Sequence, residues 1–115
     1  MSVSLNTRAV AHAKELIEAG RVVHDEHSDW GDAAPDSKEE NTYLEKHGYG
    51  EYSKWFLGID SDESEHTKSR YSFPIGNFSK ILRGGVIAAE DRAAQYDHDD
   101  IAAAAKRLLA LIDAP

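Results

Sequence analysis

Apolar residues recur every three or four positions in four stretches of the chain, a spacing typical of helices with one buried face. In the first stretch, Val10, Ala13 and Ile17 fall on one side. Asn6 stands in front of that stretch as an N-cap, and Gly20 follows it as a C-terminal stop. The pattern predicts four helices, over residues 7–19, 38–47, 78–96 and 101–113.

Capping and breaking residues refine the second and third of these helices. Ser37 opens an S-K-E-E capping box, with Asp36 as the alternative N-cap, and Asn77 is placed to cap the third helix. Gly84 and Gly85 fall inside the third helix, where each glycine costs about 1 kcal/mol relative to alanine. They indicate either a kink or the close approach of a neighbouring element.

The predicted third and fourth helices each carry an apolar face, so we expect them to pack together. The residues expected to be buried there are Phe78, Ile81, Gly85, Ala89, Ile101, Ala105 and Leu108. Aromatic residues also cluster after the second helix, and an isolated small domain has to bury such groups. The cluster predicted to belong to the core is Tyr49, Tyr52, Trp55 and Phe56.

Two further segments, 54–60 and 71–75, have the composition of strands, and a polar stretch separates them. They predict an antiparallel hairpin with a long tip. Pro74 cannot donate to a sheet ladder, so it marks the end of the second strand or an edge. The predicted fold class is therefore α+β. It comprises about four helices and one small antiparallel β-hairpin in a single compact domain over 1–115, with polar loops at 24–37 and 60–68.

The composition limits the class of protein. The 115 residues are 41% hydrophobic and 30% charged, which is typical of one folded domain. The absence of cysteine excludes disulfides, thiolate metal sites and a cysteine nucleophile. No apolar run resembles a signal peptide or approaches the roughly 20 residues of a membrane helix. We expect a soluble, cytoplasmic protein with no membrane partner.

The net charge of −8 is distributed unevenly. Between His24 and His66 there are 13 acidic residues and only three lysines. The following segment has basic residues and no acid, and its candidate partner-binding residues are Lys68, Arg70, Lys80 and Arg83. In the alternative interpretation, the acidic half of the chain neutralises them, within one chain or between two chains of a homodimer. Nucleic acid is disfavoured as a partner, because the field of the whole protein repels phosphates.

One loop has the composition of a metal site. In H-D-E-H-S-D, the residues His24, His27 and Asp29 are candidate ligands for a divalent ion, although the spacing is not H-E-x-x-H. No G-x-S-x-G or phosphate-loop motif is present, and no nucleophile is paired with a base at a meaningful spacing. We predict no catalytic residue and no cofactor, and an enzyme is disfavoured.

Four sequence blocks resemble a family of small uncharacterised bacterial proteins of about this length. They are W-F-L-G-I-D (55–60), K-S-R-Y-S-F-P-I-G-N-F-S-K-I (68–81), G-V-I-A-A-E-D-R-A-A-Q-Y (85–96) and D-I-A-A-A-A-K-R-L-L (100–109). The resemblance covers nearly the whole chain. It implies a shared fold and no assigned activity. The helix rhythm of 87–95 is also similar to R-N-A-x-A-R-x-x-Q in a short domain of phage-associated proteins.

This chain departs from the family's pattern at three positions. Asn77 stands where an acid is common, Leu82 where a histidine is common and Gly84 where a cysteine is common. If those groups act chemically in relatives, this chain has lost that chemistry. The sequence therefore favours a small non-catalytic binding or accessory protein that docks an unknown partner, or a second copy, through the hairpin and third-helix region. The alternative is a metal-binding or small-ligand protein that uses the loop from His24 to Asp29.

Overall fold

This computed structural model describes residues 2–114 of the chain. These residues contain two small sheets and five α-helices. The strands are β1 (Val3–Leu5), β2 (Val22–Val23), β3 (Phe56–Asp60), β4 (Tyr71–Pro74) and β5 (Ile81–Leu82). The helices are α1 (Thr7–Glu18), α2 (Trp30–Ala33), α3 (Ser37–Tyr52), α4 (Arg83–Gln95) and α5 (Asp99–Ile112). The α+β class and the single compact domain are confirmed, but the prediction of about four helices and one hairpin is incomplete.

The predicted hairpin is present, and a third strand extends it. β3 and β4 pair antiparallel, with Phe56 opposite Pro74 and Gly58 opposite Ser72. β1 pairs antiparallel with the other side of β3, so β4 forms an edge of the sheet. The β4 strand ends at Pro74, as predicted. The second sheet is a short parallel pair of β2 and β5.

Asn6 ties α1 to the start of β3. It occupies the N-cap position, but its side chain makes no capping hydrogen bond. Instead the amide Nδ2 donates to the carbonyl oxygens of Ser53 and Phe56, at 2.8 and 2.9 Å. Asn6 is only 2% exposed, so these bonds satisfy a polar group that is costly to bury alone. Gly20 follows α1 with φ +76°, which confirms the predicted stop.

The second predicted helix is longer than expected, and Asp36 caps it. The Asp36 carboxylate accepts from the backbone N–H of Glu39 at 2.8 Å, and the Glu39 carboxylate accepts from that of Asp36 at 3.2 Å. The alternative N-cap is therefore correct and the box on Ser37 is not. Gly48, with φ 78° and ψ 174°, has a non-helical backbone, so a first helical part ends there, close to the predicted end at His47, and a second part continues across the kink to Tyr52.

The predicted third helix begins five residues too early in the sequence. Asn77 Oδ1 accepts from the backbone N–H groups of Ser79 and Lys80, which are the bonds of an N-cap. Phe78 nevertheless adopts φ +67°, and the Asn77 N–H donates to the Lys80 carbonyl, so the chain closes a tight turn instead of a helix. Ile81 then enters β5, and α4 starts only at Arg83.

The core lies where α4, α5 and the three-stranded sheet meet. Most of the predicted interface is confirmed, since Ile81, Gly85, Ala89, Ile101, Ala105 and Leu108 are all buried. Phe78 is half-buried and stacks on Tyr43, with ring centroids 4.6 Å apart. Of the aromatic cluster, Tyr52, Trp55 and Phe56 are buried and Tyr49 is half-buried.

Candidate functional site

A cleft of about 580 Å³ opens between β4 and α4, and we call it the β4–α4 cleft. Phe73 and Pro74 line it from the strand, and Ala88 and Ala89 line it from the helix. Trp30 forms a further wall. The volume lies in the range of about 300–1,000 Å³ that small-molecule sites occupy. The cleft therefore belongs to the hairpin and third-helix region to which the sequence assigned binding.

Two glycines let the Trp30 loop pack onto the start of α4. A Cβ atom built on Gly85 would lie 2.6 Å from Cζ3 of the Trp30 ring. One built on Gly84 would overlap the carbonyl oxygen of Glu26, and the Gly84 N–H donates to the Asp25 carboxylate at 2.7 Å. The predicted close approach of a neighbouring element is thus confirmed, and Trp30 pins the polar loop 24–37 to the core.

Strain and an unsatisfied polar group meet on the strand side of the cleft. Phe73 has φ +62°, a left-handed conformation that costs a non-glycine residue roughly 1–2 kcal/mol. Phe73 is 9% exposed, and its ring meets the His98 ring edge-on at 5.7 Å. The buried Oγ of Ser72 has no hydrogen-bond partner among the described residues. Both features are enriched at functional sites.

Polar side chains surround the mouth of the cleft. His27 Nδ1 lies 3.7 Å from Asp91 Oδ2, and both side chains are more than half exposed. The next residue of α4, Arg92, and Gln95, one helical turn beyond Asp91, also line the cleft. The Arg92 guanidinium carbon is 5.9 Å from the centroid of the Tyr96 ring. The cleft therefore offers apolar walls with hydrogen-bond donors and acceptors at its rim.

The four predicted partner-binding residues differ in their contacts within the chain. Lys68 Nζ lies 3.2 Å from the Glu40 carboxylate. Arg83 donates to both carboxylate oxygens of Asp113, at 2.8 and 3.2 Å. These two charges are neutralised within the chain, which is the alternative that the charge distribution had left open.

The other two basic residues have no carboxylate partner in residues 2–114. Arg70 Nη1 donates to the backbone carbonyl of Glu63 at 2.7 Å, and Lys80 is exposed. A role of these four residues in partner binding remains a prediction.

The three candidate metal ligands are not brought together. Asp29 Oδ2 accepts from the backbone N–H of Glu26 at 3.0 Å and closes a local turn. His27 faces Asp91, and His24 is exposed on the segment after β2. Within residues 2–114, no group of three or more His, Cys, Asp or Glu side chains is arranged to hold a metal ion. Binding of a divalent ion by these three residues remains a prediction, which a metal titration can test.

Sequence reasoning missed most of the lining of the cleft. Ser72 and Phe73 gave no signal, because a residue before proline ordinarily favours extended backbone, whereas Phe73 has positive φ. Arg92 and Gln95 were noted only within the helix rhythm of 87–95, the stretch that also contains Asp91. Their spacing of three residues on one predicted helix was the signal that could have placed them on a common face.

Comparisons with protein-family models, curated proteins and solved structures found no match to this chain. Membership of the bacterial family that the sequence resembles therefore remains a prediction. Among the helices of residues 2–114, none is both long and apolar enough to cross a membrane.

Proposed function

We propose that this chain is a non-catalytic binding protein that holds a segment of a partner protein in the β4–α4 cleft. The observation that carries the proposal is the cleft itself, an opening of about 580 Å³ between the hairpin and α4. Its walls include Phe73, Ala88 and Trp30, which favour an apolar side chain because its burial there removes both surfaces from water.

The charge at the rim favours an acidic group beside that apolar side chain. Asp91 faces His27, whereas Arg92 has no carboxylate partner among the described residues and lies over the Tyr96 ring. An incoming carboxylate can pair with the Arg92 guanidinium in a bidentate geometry. We place docking here and not on the four predicted basic residues, because Lys68 and Arg83 are already paired with acids of the chain, and neither Arg70 nor Lys80 lines this cleft.

The state of Ser72 favours binding over catalysis. A serine hydroxyl becomes an effective nucleophile when an adjacent base accepts its proton. Ser72 Oγ has no hydrogen-bond partner in the described part of the chain, so no such base contacts it. The histidine and the carboxylate that line the cleft, His27 and Asp91, lie on its rim and are largely exposed.

An array of short peptides with systematically varied apolar and acidic content tests the proposal. The wild-type chain should bind peptides in which a large apolar residue stands next to Asp or Glu. Ala88→Trp should abolish this binding by filling the cleft, while Ala103→Trp, at an exposed position of α5, should not. Arg92→Gln should keep the apolar preference and lose the acidic one. Equal binding by the Ala88→Trp and wild-type chains would refute the assignment.

A further inference from the structure

A second, smaller cavity of about 220 Å³ lies between the start of α1, the end of α3 and the residues before β4. Three side chains that can carry positive charge line it: Arg8, His66 and Arg70. Tyr49 and Tyr71 contribute aromatic walls. Such a cluster of basic side chains is unusual in a chain of net charge −8. The cavity is separate from the β4–α4 cleft and from the function proposed for that cleft.

The two arginines at this cavity are not neutralised by the protein. Within residues 2–114, neither Arg8 nor Arg70 has a carboxylate within ion-pair distance. Arg70 Nη1 donates to the backbone carbonyl of Glu63 at 2.7 Å, which holds the side chain in place and leaves its charge uncompensated. Lys68, two residues earlier, is by contrast paired with Glu40.

Few acidic groups compete for these arginines. Glu65 is the acid that lines the cavity. Glu51 lies close enough to feel the charge of Arg8, but it is bound to Lys54 at 2.7 Å. The hydrogen bond from Lys54 lowers the pKa of Glu51, and the charge of Arg8 adds a smaller lowering. The first turn of α1, which carries Arg8, contains no acidic residue.

The local structure fixes one wall of the cavity. The Tyr71 hydroxyl donates to the backbone carbonyl of Glu65 at 3.0 Å, and Thr67 Oγ1 donates to that of Ser64 at 3.0 Å. Burial raises the pKa of the Tyr71 phenol above its ordinary value, so this donor stays protonated. The Tyr49 ring meets the His66 ring edge-on at 5.9 Å. Arginines beside such apolar walls attract anions more strongly than they do in open water.

We propose that this cavity binds a small multivalent oxyanion, and that its ligand class is the phosphate group of a small phosphate monoester or free phosphate. The planar guanidinium groups of Arg8 and Arg70 match the bidentate geometry of phosphate oxygens. A volume of about 220 Å³ is below the range of drug-sized sites and suits a phosphate with a short organic substituent.

Calorimetric titration of the full chain at low salt tests this inference, with inorganic phosphate, glycerol phosphate and acetate as the probes. We expect one site per chain, and binding of acetate at least about tenfold weaker than that of either phosphate ligand, because acetate has fewer acceptor oxygens and a smaller negative charge than phosphate. A monoester that binds more tightly than inorganic phosphate identifies the ligand as an organic phosphate, and the reverse order identifies free phosphate. Absence of binding at millimolar phosphate, or equal affinity for acetate, would overturn the proposal.

Three variants connect the binding to the cavity. Arg8→Gln should weaken phosphate binding about tenfold, as expected for the loss of a charge-assisted hydrogen bond. Arg107→Gln, which removes an exposed charge on α5, should leave binding unchanged. Glu65→Gln should strengthen binding, a gain that misfolding cannot produce. Equal weakening in Arg8→Gln and Arg107→Gln, or no gain in Glu65→Gln, would contradict a site at this cavity.

Discussion

The contact between Trp30 and Gly85 positions Trp30, which we call the end wall of the β4–α4 cleft. The variant Gly85→Ala tests this contact. A Cβ atom at this position would lie 2.6 Å from Cζ3, 2.9 Å from Cε3 and 3.0 Å from Cη2 of the Trp30 ring. Carbon atoms in contact are ordinarily about 3.5–4.0 Å apart. The ring would have to move by roughly 1 Å. The α4 helix resists a shift in its place, because it packs extensively against α5.

The expected change in the free energy of unfolding of Gly85→Ala is the difference between a cost of overpacking and a gain in helix propensity. Overpacking of this kind costs about 1–3 kcal/mol. Replacement of glycine by alanine inside a helix returns about 1 kcal/mol. Gly50→Ala is the matched control, because Gly50 also lies in a helix and nothing stands within 4 Å of the position that a Cβ atom would occupy there. The control should gain about 1 kcal/mol. The free energies of unfolding of the two variants should therefore differ by about 1–3 kcal/mol, the overpacking cost alone.

Urea denaturation with linear extrapolation measures both free energies, and tryptophan emission locates the change. The chain has two tryptophans, and Trp55 is only 4% exposed, so a red shift confined to Gly85→Ala reports displacement of Trp30. A difference near 2 kcal/mol between the variants corresponds to roughly 8 °C or more in melting temperature. If both substitutions stabilise the chain equally and the emission does not change, Trp30 does not rest on Gly85 and the described end wall is wrong.

Three further outcomes are expected. Hydrogen bonds from Arg83 hold the pKa of Asp113 below its ordinary value of 3.8. The contribution of this pair to stability is therefore present above pH 3.8 and is lost as the pH falls through the lowered pKa. Carboxyl NMR titration should show that the pKa of Asp113 rises in Arg83→Gln. Zinc and manganese should leave the melting temperature unchanged, and a rise that His27→Ala abolishes would establish the metal site instead. Because Lys68 and Arg83 are paired within the chain, the sedimentation coefficient should be the same at low and high salt; a faster species only at low salt would support an electrostatic homodimer.

Periodicity predicted the long helices well where one pattern persisted without interruption. Ile101, Ala105 and Leu108 repeat over two turns, and α5 follows them closely. The start of α4 was wrong because Phe78 and Ile81 fit the same period although they lie in a turn and a strand. Short strands of two or three residues, such as β1 and β5, contain too few positions to show any alternation.

The candidate sites were harder to predict than the fold, because they depend on contacts between distant residues. The basic segment looked like one surface in sequence. In the structure Lys68 reaches Glu40 and Arg83 reaches Asp113, and these partners are about 30 positions away along the chain. Gly84 and Gly85 did indicate a close contact from the sequence, since a glycine within a helical pattern requires a reason. The sequence could not show that the neighbour would be Trp30.

Protection of a single thiol at the cleft tests the central claim most directly. The chain has no cysteine, so Gln95→Cys and Ala103→Cys each introduce one unique thiol, at the rim of the β4–α4 cleft and on the exposed part of α5. The measurement is the rate of alkylation of each thiol with and without the tightest peptide from the array. We predict that the peptide slows alkylation of the Gln95→Cys variant and leaves that of the Ala103→Cys variant unchanged. Equal rates with and without peptide at the cleft thiol would contradict partner binding in the β4–α4 cleft.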